Sequence, residues 1–263
     1  VDVAGTRFSA VLIMILYLGI TYGKKLGTKW LAFYVLSFFI IAVIGNMIAR
    51  TTTVGIILSL GYFIFGNLRS NEISKIKSKI RIWKWISFMI IIGIPITVYF
   101  YQHNPTIHQN IRFAFEGFFS LVEKGKWEVH SNDMLRNMYV FPDNVKTWII
   151  GDGYLGNPKL TDPYYTGPMK TDFYMGTDVG YLRFIFYFGT LGLIAFICFF
   201  CYVTRLCLNR FREFKNMFIL LLLVNFIIWF KVSTDIFVVF APFLCLAAAK
   251  DEGQQLELLR QKS

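Results

Sequence analysis

Charged residues are scarce in this chain. Asp, Glu, Lys and Arg make up 16% of its 263 residues, where soluble domains carry about 25%. The apolar residues, 56% of the total, come in long blocks. This excludes an ordinary soluble domain and indicates an all-α polytopic membrane protein. The net charge of +11 therefore concerns loop orientation and is not a nucleic-acid surface. Cysteine is also rare: Cys198, Cys201, Cys207 and Cys245 lie in or beside apolar runs, so the polar part has no disulfide framework. Cys198 and Cys201 have C-x-x-C spacing without a second ligand pair. The three histidines, His103, His108 and His130, have no metal-ligand spacing among themselves. There is no Walker A motif, no Asp-x-Asp pair of the kind that holds a metal and a nucleotide sugar, and no internal repeat. The start at Val1 shows no signal-peptide pattern, and the apolar run close behind it suggests the C-terminal part of a longer membrane protein.

Hydropathy divides the chain into about seven spans, near 7–23, 30–48, 52–68, 84–101, 181–204, 216–231 and 235–249. The third, sixth and seventh are short and border polar residues, as helices lining a cavity do. Every second connection is rich in Lys and Arg: Lys24, Lys25 and Lys29; Arg69 to Lys84; Arg205 to Lys215; Lys250, Arg260 and Lys262. The positive-inside rule makes these cytoplasmic. Val1 then lies outside and Ser263 inside, with an odd number of further spans expected upstream. The expected organisation is transmembrane helices over 1–101, a large outer loop over 102–180, further spans over 181–249 and a cytoplasmic tail over 250–263. Within the loop, Ile107, Ile111, Phe115, Phe118 and Val122 recur at helical spacing, which predicts an amphipathic helix lying on the membrane. Ser131 is placed to cap a second short helix through Tyr139. From Phe141 onward Gly, Pro, Asp and Tyr mark ordered turns.

Arg50 breaks the charge pattern. It stands on the outer side, between two apolar runs, and Thr51, Thr52 and Thr53 follow it. A guanidinium, hydroxyls and the amides of a helix start make an anion cradle, and an anion at the outer end of a membrane helix points to the phosphate of a lipid carrier. Gly55 and Gly61 in RTTTVGIILSLG allow close helix packing. The alternative for Arg50 is a snorkelling interfacial side chain. Asp178 sits just outside the fifth span and Arg183 about one turn inside it, where charge is costly and marks a site. Arg183 is a candidate for a second phosphate, or the partner of Asp178 in a plain ion pair; Asp178, beside apolar surface, is a candidate general base. Lys231, Ser233, Thr234 and Asp235 form a polar turn on the same side. Thr147–Pro158 is a Gly-rich turn holding Asp152, and Trp148, Tyr154, Tyr164, Tyr165 and Tyr174 are suited to stacking on sugars or to the membrane interface.

These motifs resemble a known family. Arg-x10-Gly at the outer end of a helix, a large loop with a Gly-x-Gly turn, and a span entered through Asp-x-Gly-Tyr-Leu and then Phe-Gly-x-Leu-Gly are similar to bacterial O-antigen and capsule polymerases of the Wzy type. The resemblance runs from about Trp30 to Ala249 and extends to a superfamily that includes the O-antigen ligases. It implies a GT-C-like, metal-independent glycosyltransferase of the inner membrane, without cofactor, in lipopolysaccharide or capsule biosynthesis. The substrate would be oligosaccharide repeat units on undecaprenyl diphosphate at the periplasmic face, with a chain-length regulator as a protein partner. Arg50 would bind the donor diphosphate with Thr51, Thr52 and Thr53, aided by Arg183, Lys231 and Asp235. Asp152 and Tyr181 would contact substrate, and Asp178 would activate the acceptor hydroxyl. Ligases carry His-Asn where this chain has Asp178-Val179, and the second Arg-x10-Gly of some polymerases is absent, since Ile194 stands eleven positions after Arg183.

Two rivals remain. A ligase moving finished polymer to lipid A core shares the scaffold. A flippase of the lipid-linked unit is a different class, disfavoured by the long loop and missing repeat.

Overall fold

The computed structural model describes residues 2–22, 27–65, 73–167 and 173–246. In chain order the helices are α1 (Asp2–Tyr22), α2 (Thr28–Ile48), α3 (Thr52–Phe65), α4 (Ile73–His103), α5 (Pro105–Ala114), α6 (Glu116–Lys124), α7 (His130–Asn137), α8 (Val145–Ile150), α9 (Pro158–Thr161), α10 (Gly180–Arg210), α11 (Lys215–Ile228) and α12 (Phe237–Leu246). Among the described residues there is no strand, only an isolated bridge between Gly156 and Phe173. α1, α2, the Ile80–His103 part of α4, and α10 are long and apolar enough to cross a membrane. The chain is an all-α, multi-pass membrane protein. The basic residues Lys24, Lys25, Arg69, Lys250, Arg260 and Lys262, with the tail 250–263, lie outside the described residues.

α1 joins two cores. Its Leu12 and Leu16 pack with Leu31, Phe38, Phe63 and Ile82 of α2, α3 and α4. On its other face Ala10, Ile13 and Tyr17 belong to a cluster with Phe200, Leu221 and Phe240 of α10, α11 and α12. Small residues let α1 and α3 touch: a Cβ on Gly55 would stand 2.3 Å from Ser9 Cα. Gly61 differs from the expectation, because nothing lies within 4 Å of where its Cβ would be. α4 turns its apolar side chains outward, with Ile91 70% and Ile94 59% exposed, as suits a helix whose solvent is lipid.

Two sets of contacts define the ends of the bundle. At one end the hydroxyls of Thr6 and Thr234 meet, Arg50 reaches Glu116, Tyr139 donates to the Phe230 carbonyl, and Gly180 abuts the Val232 carbonyl. The α2–α3 and α11–α12 turns and the 104–179 connection therefore share that end. At the other, Tyr17 donates to the Glu213 carbonyl and Asn216 to the Tyr62 hydroxyl. The exposed cations Lys29, Lys84, Arg205 and Arg212 belong to this second end by their places in α2, α4 and α10 and at the α10–α11 turn.

α10 is broken. Phe188 (φ −132°) and Gly189 (φ +67°) leave helical geometry, and the left-handed φ favours glycine. Carbonyls freed inside a span need partners. The Asp152 and Gly153 amides supply them, donating to the Phe186 and Tyr187 carbonyls at 2.7 and 2.9 Å, while Thr190 donates to the Trp148 carbonyl at 2.7 Å. The Gly151–Asp152–Gly153 turn is thus fitted into the break.

In the long connection, the amphipathic run forms two helices, α5 and α6, which meet at Phe115. The Asn104 side chain accepts from the Ile107 amide and caps α5. α7 starts after Val129 without a side-chain cap. Ser131, expected as that cap, instead accepts from Arg50.

Candidate functional site

Ala49 leaves the helix in extended conformation, and Arg50 and Thr51 turn the chain into α3. The amides at the start of α3 do not form an open cradle. Those of Thr52, Thr53 and Val54 donate to the carbonyls of Ala49, Arg50 and Thr51 at 3.0–3.1 Å. The hydroxyls also face inward. Thr51 Oγ1 fills the space a Cβ on Gly5 would need, Thr52 packs on Gly45, and Thr53 Oγ1 donates to Asn46 Oδ1 at 2.6 Å. Arg50, Thr51 and Thr53 nevertheless line the groove described next, while Thr52 is fully buried.

The Arg50 guanidinium is well held. Arg50 Nη2 lies 2.6 Å from Glu116 Oε2, Nη1 donates to Ser131 Oγ at 3.2 Å, and the group stacks 4.0 Å over Phe113. Glu116 opens α6, where a carboxylate suits the helix dipole, and its Oε1 accepts the His130 amide. Arg50 and Ser131 line three cavities. One, about 770 Å³, is polar and formed by α5, α6 and α7, with Arg112, Glu116, Glu123 and Asp133 in its wall. A second, about 790 Å³, is an apolar groove between α2, α3, α4 and α11, walled by Phe38, Val54, Ile90 and Ile227 and closed by Phe118 and Trp127. The third, about 200 Å³, brings Arg50 together with Asp178, Lys231 and Met134. Lys231 and Thr51 also line the apolar groove.

Arg183 is engaged elsewhere. It lies 3.0 Å from Asp178, donates to Ser233 Oγ and the Leu155 carbonyl, and covers Phe173. It lines none of these three cavities. The arrangement clamps the α11–α12 turn, the long connection and the start of α10 together. Asp178 lies against the Arg183 guanidinium and also lines the small cavity beside Met134, Met138 and Val232.

Other expected contacts are occupied by the scaffold. Asp152 accepts from Thr147 Oγ1, Tyr174 and Lys146 and holds its own turn. Tyr181 donates to the Phe226 carbonyl and packs on Trp229. Asp235 accepts the Phe237 amide at the start of α12. Tyr154, Tyr165 and Tyr174 pack on one another, with ring centroids 5.3–6.2 Å apart, and so are not laid out as a sugar platform. Burial and the nearby Asp152 push the Tyr174 phenol well above its ordinary range. A hydrogen bond to Asp162 raises that of Tyr154. His103 and His108 stack on Tyr99 and Tyr101. Among the described residues no group of three or more His, Cys, Asp or Glu is placed to hold a metal ion.

Sequence reasoning missed Glu116. Its signal was a lone carboxylate inside the apolar-periodic run of the long connection. Comparison with protein-family models, curated proteins and solved structures finds no match.

Proposed function

We propose that this protein is an O-antigen or capsule polymerase, joining repeat units carried on undecaprenyl diphosphate. One observation carries the reading: Arg50 stands where an apolar groove between membrane helices meets a polar cavity of comparable size. A lipid-linked sugar has those three parts in that order, a hydrocarbon chain, a diphosphate and a glycan. The prenyl chain lies in the groove, the diphosphate at Arg50 and Lys231, and the glycan among the polar side chains of α5, α6 and α7. Cations at a developing phosphate charge are what this transfer needs, since the diphosphate is already a good leaving group. The reaction requires no metal or cofactor.

The same reading takes α3, α11 and α12 as short spans beside the four long helices, giving seven in a GT-C-like arrangement. The Arg50 end faces the periplasm and the basic end the cytoplasm of the bacterial inner membrane. The long connection is the periplasmic loop. A chain-length regulator is an expected partner. Arg183 supports the transfer by holding the Lys231 turn, with Asp178 as its counter-ion.

The test is a glycan gel of a strain lacking the full-length protein, complemented with wild type or Arg50→Ala. Core bearing a single repeat unit in both the null strain and Arg50→Ala supports the polymerase. Bare core with accumulated lipid-linked polymer makes it a ligase. An unchanged ladder in the null strain sinks glycan assembly, and with it the flippase of the lipid-linked unit.

A further inference from the structure

Arg50 already pairs with an anion of the chain itself. Glu116 Oε2 lies 2.6 Å from its Nη2. A donor diphosphate that takes this edge of the guanidinium displaces the oxygen. The other oxygen, Oε1, accepts the His130 amide at 3.2 Å and keeps the carboxylate beside the site. Glu116 lines both the polar cavity and the apolar groove, which no other carboxylate in their walls does. Glu123 and Glu128 in the polar cavity are tied to Arg112 and Lys124 at 2.8 and 2.7 Å. Asp178 is held by Arg183 and faces only the small cavity of the three.

We propose that Glu116 is the general base of the transfer, held on Arg50 until the donor diphosphate takes its place. The proposal rests on the polymerase reading. As the acceptor oxygen bonds to the anomeric carbon, its proton passes to the Glu116 carboxylate. The anomeric carbon–oxygen bond to diphosphate breaks, and its electron pair leaves on the diphosphate, stabilised by Arg50 and Lys231. Donor binding thereby frees the base, so the hydroxyl is activated only when a donor is in place.

The experiment uses the full-length protein in lipid nanodiscs. Farnesyl diphosphate is the binding probe, and the lipid-linked repeat unit extracted from cells lacking the protein is the substrate. Glu116→Gln should bind farnesyl diphosphate several-fold more tightly, because an internal competitor is gone, while transfer falls about 100-fold or more, the ordinary range for a lost general base. Glu116→Ala should move both readouts the same way, with thermal unfolding followed alongside. Transfer within a few-fold of wild type overturns the proposal. So does binding that weakens in step with transfer, the mark of a scaffold role. A wild-type protein that binds the probe yet elongates nothing removes the polymerase reading, and this one with it.

Discussion

The hydroxyls of Thr6 and Thr234 lie 2.8 Å apart and buried, joining the first helix to a turn 228 positions further along the chain. The contact fixes α1 against the turn that carries Lys231. Replacing either with Val leaves the other hydroxyl without its partner, at a cost of about 1–3 kcal/mol. Thermal unfolding in detergent should show each single loss. The double replacement should cost less than the sum, since no orphaned hydroxyl then remains.

Arg183→Ala should act on stability more than on chemistry. Arg183 and Asp178 are 14% and 15% exposed, and removing the guanidinium takes away a largely buried ion pair. The expected loss is up to about 3 kcal/mol, read from the unfolding transition. Transfer per folded molecule should fall far less than in Arg50→Ala. If the folded variant is as inactive as Arg50→Ala, the clamp assignment is wrong and Arg183 touches substrate.

Arg50→Ala should lower transfer roughly 100- to 1,000-fold, the scale of a lost oxyanion contact. Arg50→Lys should recover part of that, because the charge remains while the planar fork that meets Ser131 and Glu116 together is lost. In vitro elongation measures both.

Gly189→Ala and Gly61→Ala should part company. A Cβ on Gly189 would stand 2.1 Å from the Ile149 carbonyl oxygen, at a left-handed φ. Strain alone costs roughly 1–2 kcal/mol there, before the clash. Gly61 is helical with open space around it, so alanine should be tolerated or should stabilise by up to about 1 kcal/mol. Severe inactivation by Gly61→Ala would show that the second half of the Arg-x10-Gly motif does more than this geometry gives it.

The segment around α6 should loosen in acid. A hydrogen bond from Arg112 holds the Glu123 carboxyl below its ordinary 4.5, and one from Lys124 does the same for Glu128. A depressed carboxyl contributes stability that is fully present above its unfolded value and is lost as pH falls through the folded one. Protection of α6 amides, measured against the intrinsic exchange rate at each pH, should therefore be constant at neutral pH and fall below about pH 4 relative to α1. Both pairs are exposed, so the effect is small and salt-sensitive.

Much of this was legible in the sequence. Long apolar blocks give the helices directly, and scarce charge makes an arginine between two apolar runs conspicuous. The approach of Arg50 to its partners was not legible, because Glu116 and Ser131 lie 66 and 81 positions away. Local pattern carries no register between a span and a loop. The inward packing of Thr51 on Gly5 and of Thr52 on Gly45 was not legible for a related reason, since those glycines lie on other stretches of chain. Ser131 looked like a cap because caps are judged locally, and Arg50 is remote.

The break in α10 bears on how the chain enters the membrane. The turn that satisfies the Phe186 and Tyr187 carbonyls is made before α10 in the order of synthesis. It can therefore be shaped before the whole span has been made. A span inserted ahead of it would place two bare carbonyls in hydrocarbon, which lipid cannot satisfy. Deleting the 151–153 turn should therefore show first as failed insertion of this helix and proteolysis during biogenesis, ahead of any defect in a finished protein.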